Sequence, residues 1–125
     1  MTFSKRQFAA IYKMGQAMVL ADGTINEKET AIVGGELIKF GVTPSDLEEL
    51  IADSESMEFS KAVEIVATLN LEQKRYVSSF LATIMAVDGD IDDSEVQLWK
   101  LVSILCGFPQ MTIRDGISYM AQRYK

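Results

Sequence analysis

Apolar residues recur along this chain at intervals of three and four positions, the spacing that places side chains on one face of an α-helix. Two such stripes are prominent, one early and one late in the chain: Phe8, Tyr12 and Val19, then Val77, Leu81 and Ile84. No segment shows a convincing strand pattern. The pattern therefore predicts an all-α fold of about seven helices, in one compact domain that spans residues 1–125.

Several residues mark where helices begin and end. Gly41 and Gly107 follow apolar helical stretches at the place where a helix-terminating glycine is expected. Thr43 followed by Pro44 is typical of an N-cap with proline in the first helical position, and Thr112 is expected to begin the last helix. The polar residues between Ala52 and Glu58 predict a loop.

The chain contains an internal repeat. The segment ADGTINEKE at 21–29 returns as VDGDIDDSE at 87–95, which is 66 positions later, and Gly41 and Gly107 have the same separation. Repeats of this kind indicate that a structural unit occurs more than once. We expect two helix-turn-helix units within the domain.

The two Asp-Gly turns have a structural interpretation. Gly23 and Gly89 can adopt the left-handed conformation that ends a helix, and Asn26 and Asp92 are good N-caps for the next one. Ile25 and Ile91 are then expected to fill the corner between the two helices of each unit. In this interpretation the polar residues of the turn serve the fold.

A second interpretation is a site for a divalent cation. Asp88, Asp90 and Asp92 occupy alternate positions, as the first ligands of a calcium loop do, with Glu95 nearby. The sixth and twelfth positions of such a loop require glycine and glutamate, whereas this chain has Asp93 and Trp99, so the segment is not an EF-hand. The predicted ligands for Ca²⁺ or Mg²⁺ are the acidic residues of both turns: Asp22, Glu29, Asp88, Asp90, Asp92 and Glu95.

Composition and charge exclude several classes of function. The chain has no histidine and a single cysteine, so it cannot form a Ser-His-Asp or Cys-His catalytic site, or a zinc site of histidines or several cysteines. Twelve basic and eighteen acidic residues give a net charge of −6, which argues against nucleic acid as a partner. No apolar run reaches the ~20 residues of a membrane span, and the lone cysteine favours the cytoplasm.

The repeated turn, Ala/Val-Asp-Gly-x-Ile-x-x-x-Glu between amphipathic helices, resembles the turns of the tellurite-resistance TerB-like superfamily. The resemblance extends roughly from Phe8 to Met120. It implies an all-helical fold with an internal duplication, and a setting of bacterial stress response in metal- or membrane-linked complexes. The acidic positions of that family correspond here to Asp22, Glu29, Asp88 and Glu95.

Three further features concern packing. Trp99 is expected in the core rather than in a binding hot spot, and Cys106 is expected to be a small buried apolar residue. The pair Gly34-Gly35 lacks the rest of a phosphate-binding loop and is expected to permit close helix packing.

The function that the sequence favours is a non-catalytic, protein-interaction module in a stress-related complex of the tellurite-resistance type. The expected partner is another protein, and a homo-oligomer is also open. The alternative is a domain that binds or senses a divalent cation through its acidic turns. No set of residues in the sequence forms a recognisable active site.

Overall fold

The computed structural model describes residues 1–21, 27–87 and 91–124, with the side chains of 27–30 outside the description. The described residues form seven α-helices and contain no strand, which confirms the predicted all-α fold. In chain order the helices are α1 (Lys5–Leu20), α2 (Glu27–Phe40), α3 (Pro44–Glu55), α4 (Phe59–Ala67), α5 (Leu71–Met85), α6 (Asp93–Cys106) and α7 (Ile113–Arg123).

The helices α1 and α5 lie at the centre and pack against each other. Both are apolar over much of their circumference, so other helices can pack on several sides of each. Met14 and Met18 of α1 and Phe80 and Ile84 of α5 are fully buried. Against this pair, α3 packs on α1, α7 packs on α5, and α4 lies between α1 and α6.

The two central helices begin in the same way. Ser4 accepts a hydrogen bond from the Gln7 backbone N–H, and the Gln7 side chain accepts one from the Ser4 N–H. Asn70 and Gln73 make the same reciprocal pair at the start of α5. These capping boxes satisfy backbone donors that a helix N-terminus otherwise leaves unpaired. They lie 66 residues apart, so the repeat extends upstream of the turn in which the sequence shows it.

The helices α2 and α6 end in the same way. In α2, the Gly41 N–H donates to the Ile38 carbonyl at 3.0 Å and the next N–H donates to the Leu37 carbonyl at 3.1 Å. In α6, the Gly107 N–H donates to the Ile104 carbonyl at 3.3 Å and the next N–H donates to the Ser103 carbonyl at 2.9 Å. Both glycines have a positive φ, as this helix ending requires. The predicted helix-terminating roles of the two glycines are confirmed.

The third helix of each unit is also capped alike. The Thr43 hydroxyl accepts from the Asp46 N–H at the start of α3, and the Thr112 hydroxyl accepts from the Asp115 N–H at the start of α7. These pairs are 69 rather than 66 residues apart, because the connection before α7 is longer. The duplicated unit therefore extends beyond the predicted helix-turn-helix to a third helix, and α4 joins the two copies.

Three local predictions are wrong in whole or in part. The loop predicted from Ala52 begins only after Glu55, since Ser54 is fully buried and its hydroxyl donates to the Ile51 carbonyl inside α3. Ile91 is 37% exposed and does not fill a corner of the core, and Ile25 lies outside the described residues. Of the pair Gly34-Gly35, only Gly34 lies at a helix contact, since a methyl group there would be 3.4 Å from the Leu47 side chain, whereas on Gly35 it would meet no described residue within 4 Å.

Candidate functional site

The predicted cation ligands fall mostly outside the described residues. Asp22, Asp88 and Asp90 lie in segments that the structure does not describe, as does the side chain of Glu29. In the parts of the chain that are described, no three histidine, cysteine, aspartate or glutamate side chains come together as a metal site would require. The cation site stays a prediction.

The two described residues of that set have structural positions. One Asp92 carboxylate oxygen accepts a hydrogen bond from the Ser94 N–H at 2.7 Å, so Asp92 is the N-cap of α6 as predicted. Glu95, one turn into the helix, is only 3% exposed. Asp92 therefore begins α6 at the surface, and Glu95 lies on the inner side of the same helix.

The inner face of α6 consists of Glu95, Trp99, Val102 and Cys106. The Trp99 indole N–H donates to the Ser78 carbonyl of α5 at 3.1 Å, which satisfies its polar group where it is buried. Cys106 is also buried, with its sulfur 3.7 Å from the Val63 carbonyl oxygen of α4. The predictions that Trp99 and Cys106 belong to the core are confirmed.

The outer face of α6 carries large aliphatic side chains. Leu101 is 51% exposed, Ile104 is 79% exposed and Leu105 is 52% exposed. Because these positions are spaced by three and four residues, they are neighbours on one side of the helix. We call these three residues the α6 patch. Single exposed apolar residues are normal, whereas contiguous apolar patches are more typical of surfaces that bind another molecule.

A groove lies beside the α6 patch. Its volume is about 560 Å³, and its lining runs from α6 into the connection that precedes α7. The residues that line it are Trp99, Lys100, Ser103, Ile104, Gly107, Phe108, Pro109, Gln110 and Met111. Ile104 belongs to both features, so the patch and the groove form one continuous apolar surface.

A smaller cavity of about 290 Å³ lies near the N-terminus. Its walls include Phe3, Phe8 and Phe40, whose rings also pack on one another, with centroids 5.3 Å apart for Phe3 and Phe40. The Arg123 guanidinium lies 4.8 Å from the centre of the Phe40 ring and so joins the end of α7 to this cluster. The cluster ties α1, α2 and α7 together, which makes it a structural feature.

The described residues offer no activated nucleophile. Burial raises the pKa of the Cys106 thiol to about 11, and the ammonium of Lys74 acts in the opposite direction. Burial also raises the pKa of the Tyr76 hydroxyl. Both groups are therefore protonated at neutral pH, and a protonated thiol is a poor nucleophile. The apolar surface of α6 is the strongest candidate for a functional site.

Sequence reasoning did not find this surface. Leu101 and Leu105 correctly indicate a helix, together with Leu98 and Val102, but they do not show which side of it faces the core. The groove requires α6 and residues 107–111 to meet after the chain turns at Gly107. One signal was available: α6 carries more apolar residues than a single buried face can hold.

No helix in the described part of the chain combines the length and the apolar character needed to cross a membrane.

Comparison with known proteins shows that a solved structure is similar to this chain. No family model and no curated protein matches the chain. The crystal structure of a protein of unknown function, PG1108 from Porphyromonas gingivalis W83, is similar to it, with 45% sequence identity and a TM-score of 0.87. The match covers 97% of this chain and 92% of that one. This chain therefore belongs to the same protein family as PG1108.

Proposed function

We propose that the protein is a non-catalytic interaction module that binds another protein through the α6 patch and the adjoining groove. The observation that carries this proposal is the exposure of Leu101, Ile104 and Leu105 on one helix face. Burial of such side chains at an interface is favourable by about 25 cal/mol for each Å² removed from water. Contiguous aliphatic residues at helical spacing are also what helix-mediated recognition uses.

The internal duplication supports this proposal, because equivalent positions of α2 and α6 can be compared to find which side chains the helical unit needs in order to fold. Since α2 and α6 end with the same hydrogen bonds, the residues equivalent to Leu101 and Leu105 are Gly35 and Lys39. The same helical unit therefore forms in α2 without large aliphatic side chains at these two positions. Leu101 and Leu105 are thus better explained by binding than by folding.

The resemblance to TerB-like proteins supports a wider setting for this module, a bacterial stress-related complex of the tellurite-resistance type. The location that fits this setting is the cytoplasm, where a chain with one buried free cysteine remains reduced. The absence of an activated nucleophile among the described residues is consistent with a binding role.

The experiment is affinity capture with the full chain from extracts of its native cells, followed by quantitative mass spectrometry. Three baits are compared: the wild type, Ile104→Glu, and Ile38→Glu as the control. Ile38 is the equivalent of Ile104 in the first unit and is also exposed. We expect a partner that the wild type and Ile38→Glu retain and Ile104→Glu loses. Identical captured proteins for all three baits would contradict the proposal, provided that circular dichroism shows each bait folded.

A further inference from the structure

We infer that the groove beside α6 receives a segment of a partner protein that carries large apolar side chains together with carboxylates. This inference rests on the proposed function, because it describes the partner of the same surface. Three observations carry it: the size of the groove, the apolar character of its lining, and the charge at its rim.

The size and the lining suit large apolar side chains. An apolar cavity of about 150 Å³ holds one benzene ring, so a groove of about 560 Å³ has room for two or three side chains of that size. Trp99, Ile104, Phe108, Pro109 and Met111 supply its apolar surface. Aromatic side chains are typical anchors at the centre of protein interfaces, so aromatic residues of a partner segment suit this groove.

The charge at the groove is positive, although the chain as a whole carries −6. Lys100 is the one charged residue among the described residues that line the groove. Lys74 of α5 lies at its edge, with its Nζ only 3.4 Å from where a Cβ on Gly107 would be. The end of α6, with its negative helix dipole, favours a cation at that place.

These two lysines have no acidic partner in the described part of the chain. Of the other described basic residues, Lys5, Arg6, Lys39 and Lys61 each form an ion pair with an aspartate or glutamate, and Lys13, Arg75, Arg114 and Arg123 form none with a described residue. Two uncompensated cations beside an apolar groove make a surface that is complementary to an acidic segment and repels a basic one.

A second copy of this chain is a poor occupant. In a symmetric dimer the same patch faces itself, so one surface that carries Lys100 and Lys74 would face another of the same positive charge. The charges therefore favour a different protein over self-association.

The test begins with an unbiased random peptide library displayed on phage and selected against the full chain. Enriched peptides are synthesised, and their affinity is measured from the fluorescence of Trp99, the only tryptophan in the sequence and a groove residue. The variants are Ile104→Glu, Lys100→Glu and Lys74→Glu. Arg75→Glu is the control, since it changes the net charge equally on the same helix as Lys74 but does not line the groove.

We expect the enriched peptides to combine aromatic or aliphatic residues with aspartate or glutamate. Ile104→Glu should weaken their binding at least tenfold, Lys100→Glu about tenfold and Lys74→Glu severalfold, whereas Arg75→Glu should change it less than twofold. These results together would support the inference.

Two results would overturn it in distinguishable ways. Peptides that are basic or uncharged, lose binding with Ile104→Glu and ignore Lys100→Glu would refute the acidic partner and leave the proposed function standing. No enrichment, peptides insensitive to Ile104→Glu, or a dimer that Ile104→Glu dissociates in analytical ultracentrifugation would refute both.

Discussion

Gly116 of α7 lies directly against Ala82 of α5, and a methyl group on Gly116 would come within 2.9 Å of the Ala82 Cβ. It would also lie 3.1 Å from the Cα of Ser79, a backbone atom that cannot rotate away. The two helices therefore approach as closely as they do because residue 116 has no side chain. This contact fixes α7 to the central helix of the second unit.

We expect Gly116→Ala to destabilise the protein. Overpacking in a core costs about 1–3 kcal/mol, and the better helix propensity of alanine returns about 1 kcal/mol. The net loss of unfolding free energy should therefore be up to about 2 kcal/mol, measured by urea denaturation at neutral pH.

The matched control is Gly35→Ala in α2, where a methyl group would meet nothing within 4 Å. This variant gains helix propensity without a clash, so it should be more stable than the wild type by about 0.5–1 kcal/mol. Equal stabilisation by both substitutions would show that the contact between Gly116 and Ala82 is not tight.

A second prediction separates binding from folding on α6. Ile104→Glu should change the unfolding free energy by no more than about 0.5 kcal/mol, because its side chain is 79% exposed. Trp99 also lines the groove but is only 6% exposed, so Trp99→Ala should cost about 3–5 kcal/mol, because it removes a buried ring and its hydrogen bond to Ser78.

Thermal melting followed by circular dichroism measures both variants under the same conditions. A large loss of stability in Ile104→Glu would mean that the α6 patch serves the fold. The proposed binding role would then lose its main support.

Local chemistry explains which parts of the fold the sequence predicts well. Gly41, Gly107, Thr43 and Thr112 act through backbone conformation or through hydrogen bonds to residues three positions away. These effects depend on neighbours in sequence, so the helix ends that they define are confirmed. The duplication is also visible locally, as two copies of one turn 66 residues apart.

Burial is harder to predict, because it depends on contacts between distant segments. Ser54 looks like a loop residue, yet it is fully buried inside α3. Leu105 looks like a core residue, yet half of its side chain is exposed. The groove is hard to predict for the same reason, because distant segments form it. Trp99 and Met111 belong to different segments, and Lys74 of α5 lies at its edge. No pattern within one helix contains that information.

The cation alternative makes a third prediction, which the double substitution Asp88→Asn and Asp90→Asn can test. If the acidic turns bind Ca²⁺, Mg²⁺ or Mn²⁺, calorimetric titration of the wild type gives heat and millimolar cation raises the melting temperature, since a ligand of the native state stabilises it. The double variant should show neither effect. An unchanged melting curve of the wild type at millimolar cation would exclude the alternative.

The fourth prediction concerns the reactivity of Cys106. Only the thiolate reacts with iodoacetamide, and burial raises the pKa of this thiol to about 11. At a given pH the thiolate fraction of Cys106 is therefore smaller than that of an ordinary cysteine, whose pKa is about 8.5. At pH 8 the native chain should be alkylated at least about a hundredfold more slowly than the chain unfolded in guanidinium chloride.

The raised pKa also predicts how the alkylation rate of Cys106 changes with pH. The native rate should rise about tenfold with each unit of pH up to about pH 11, as long as the protein stays folded, because the thiolate fraction increases in that proportion. The unfolded chain should instead reach its maximal rate above about pH 9. Mass spectrometry of the alkylated chain measures both rates, since the sequence has only one cysteine. A native rate that levels off near pH 9 would show that the thiol has an ordinary pKa. It would then contradict the burial of Cys106 between α4 and α6, which its contact with Val63 indicates.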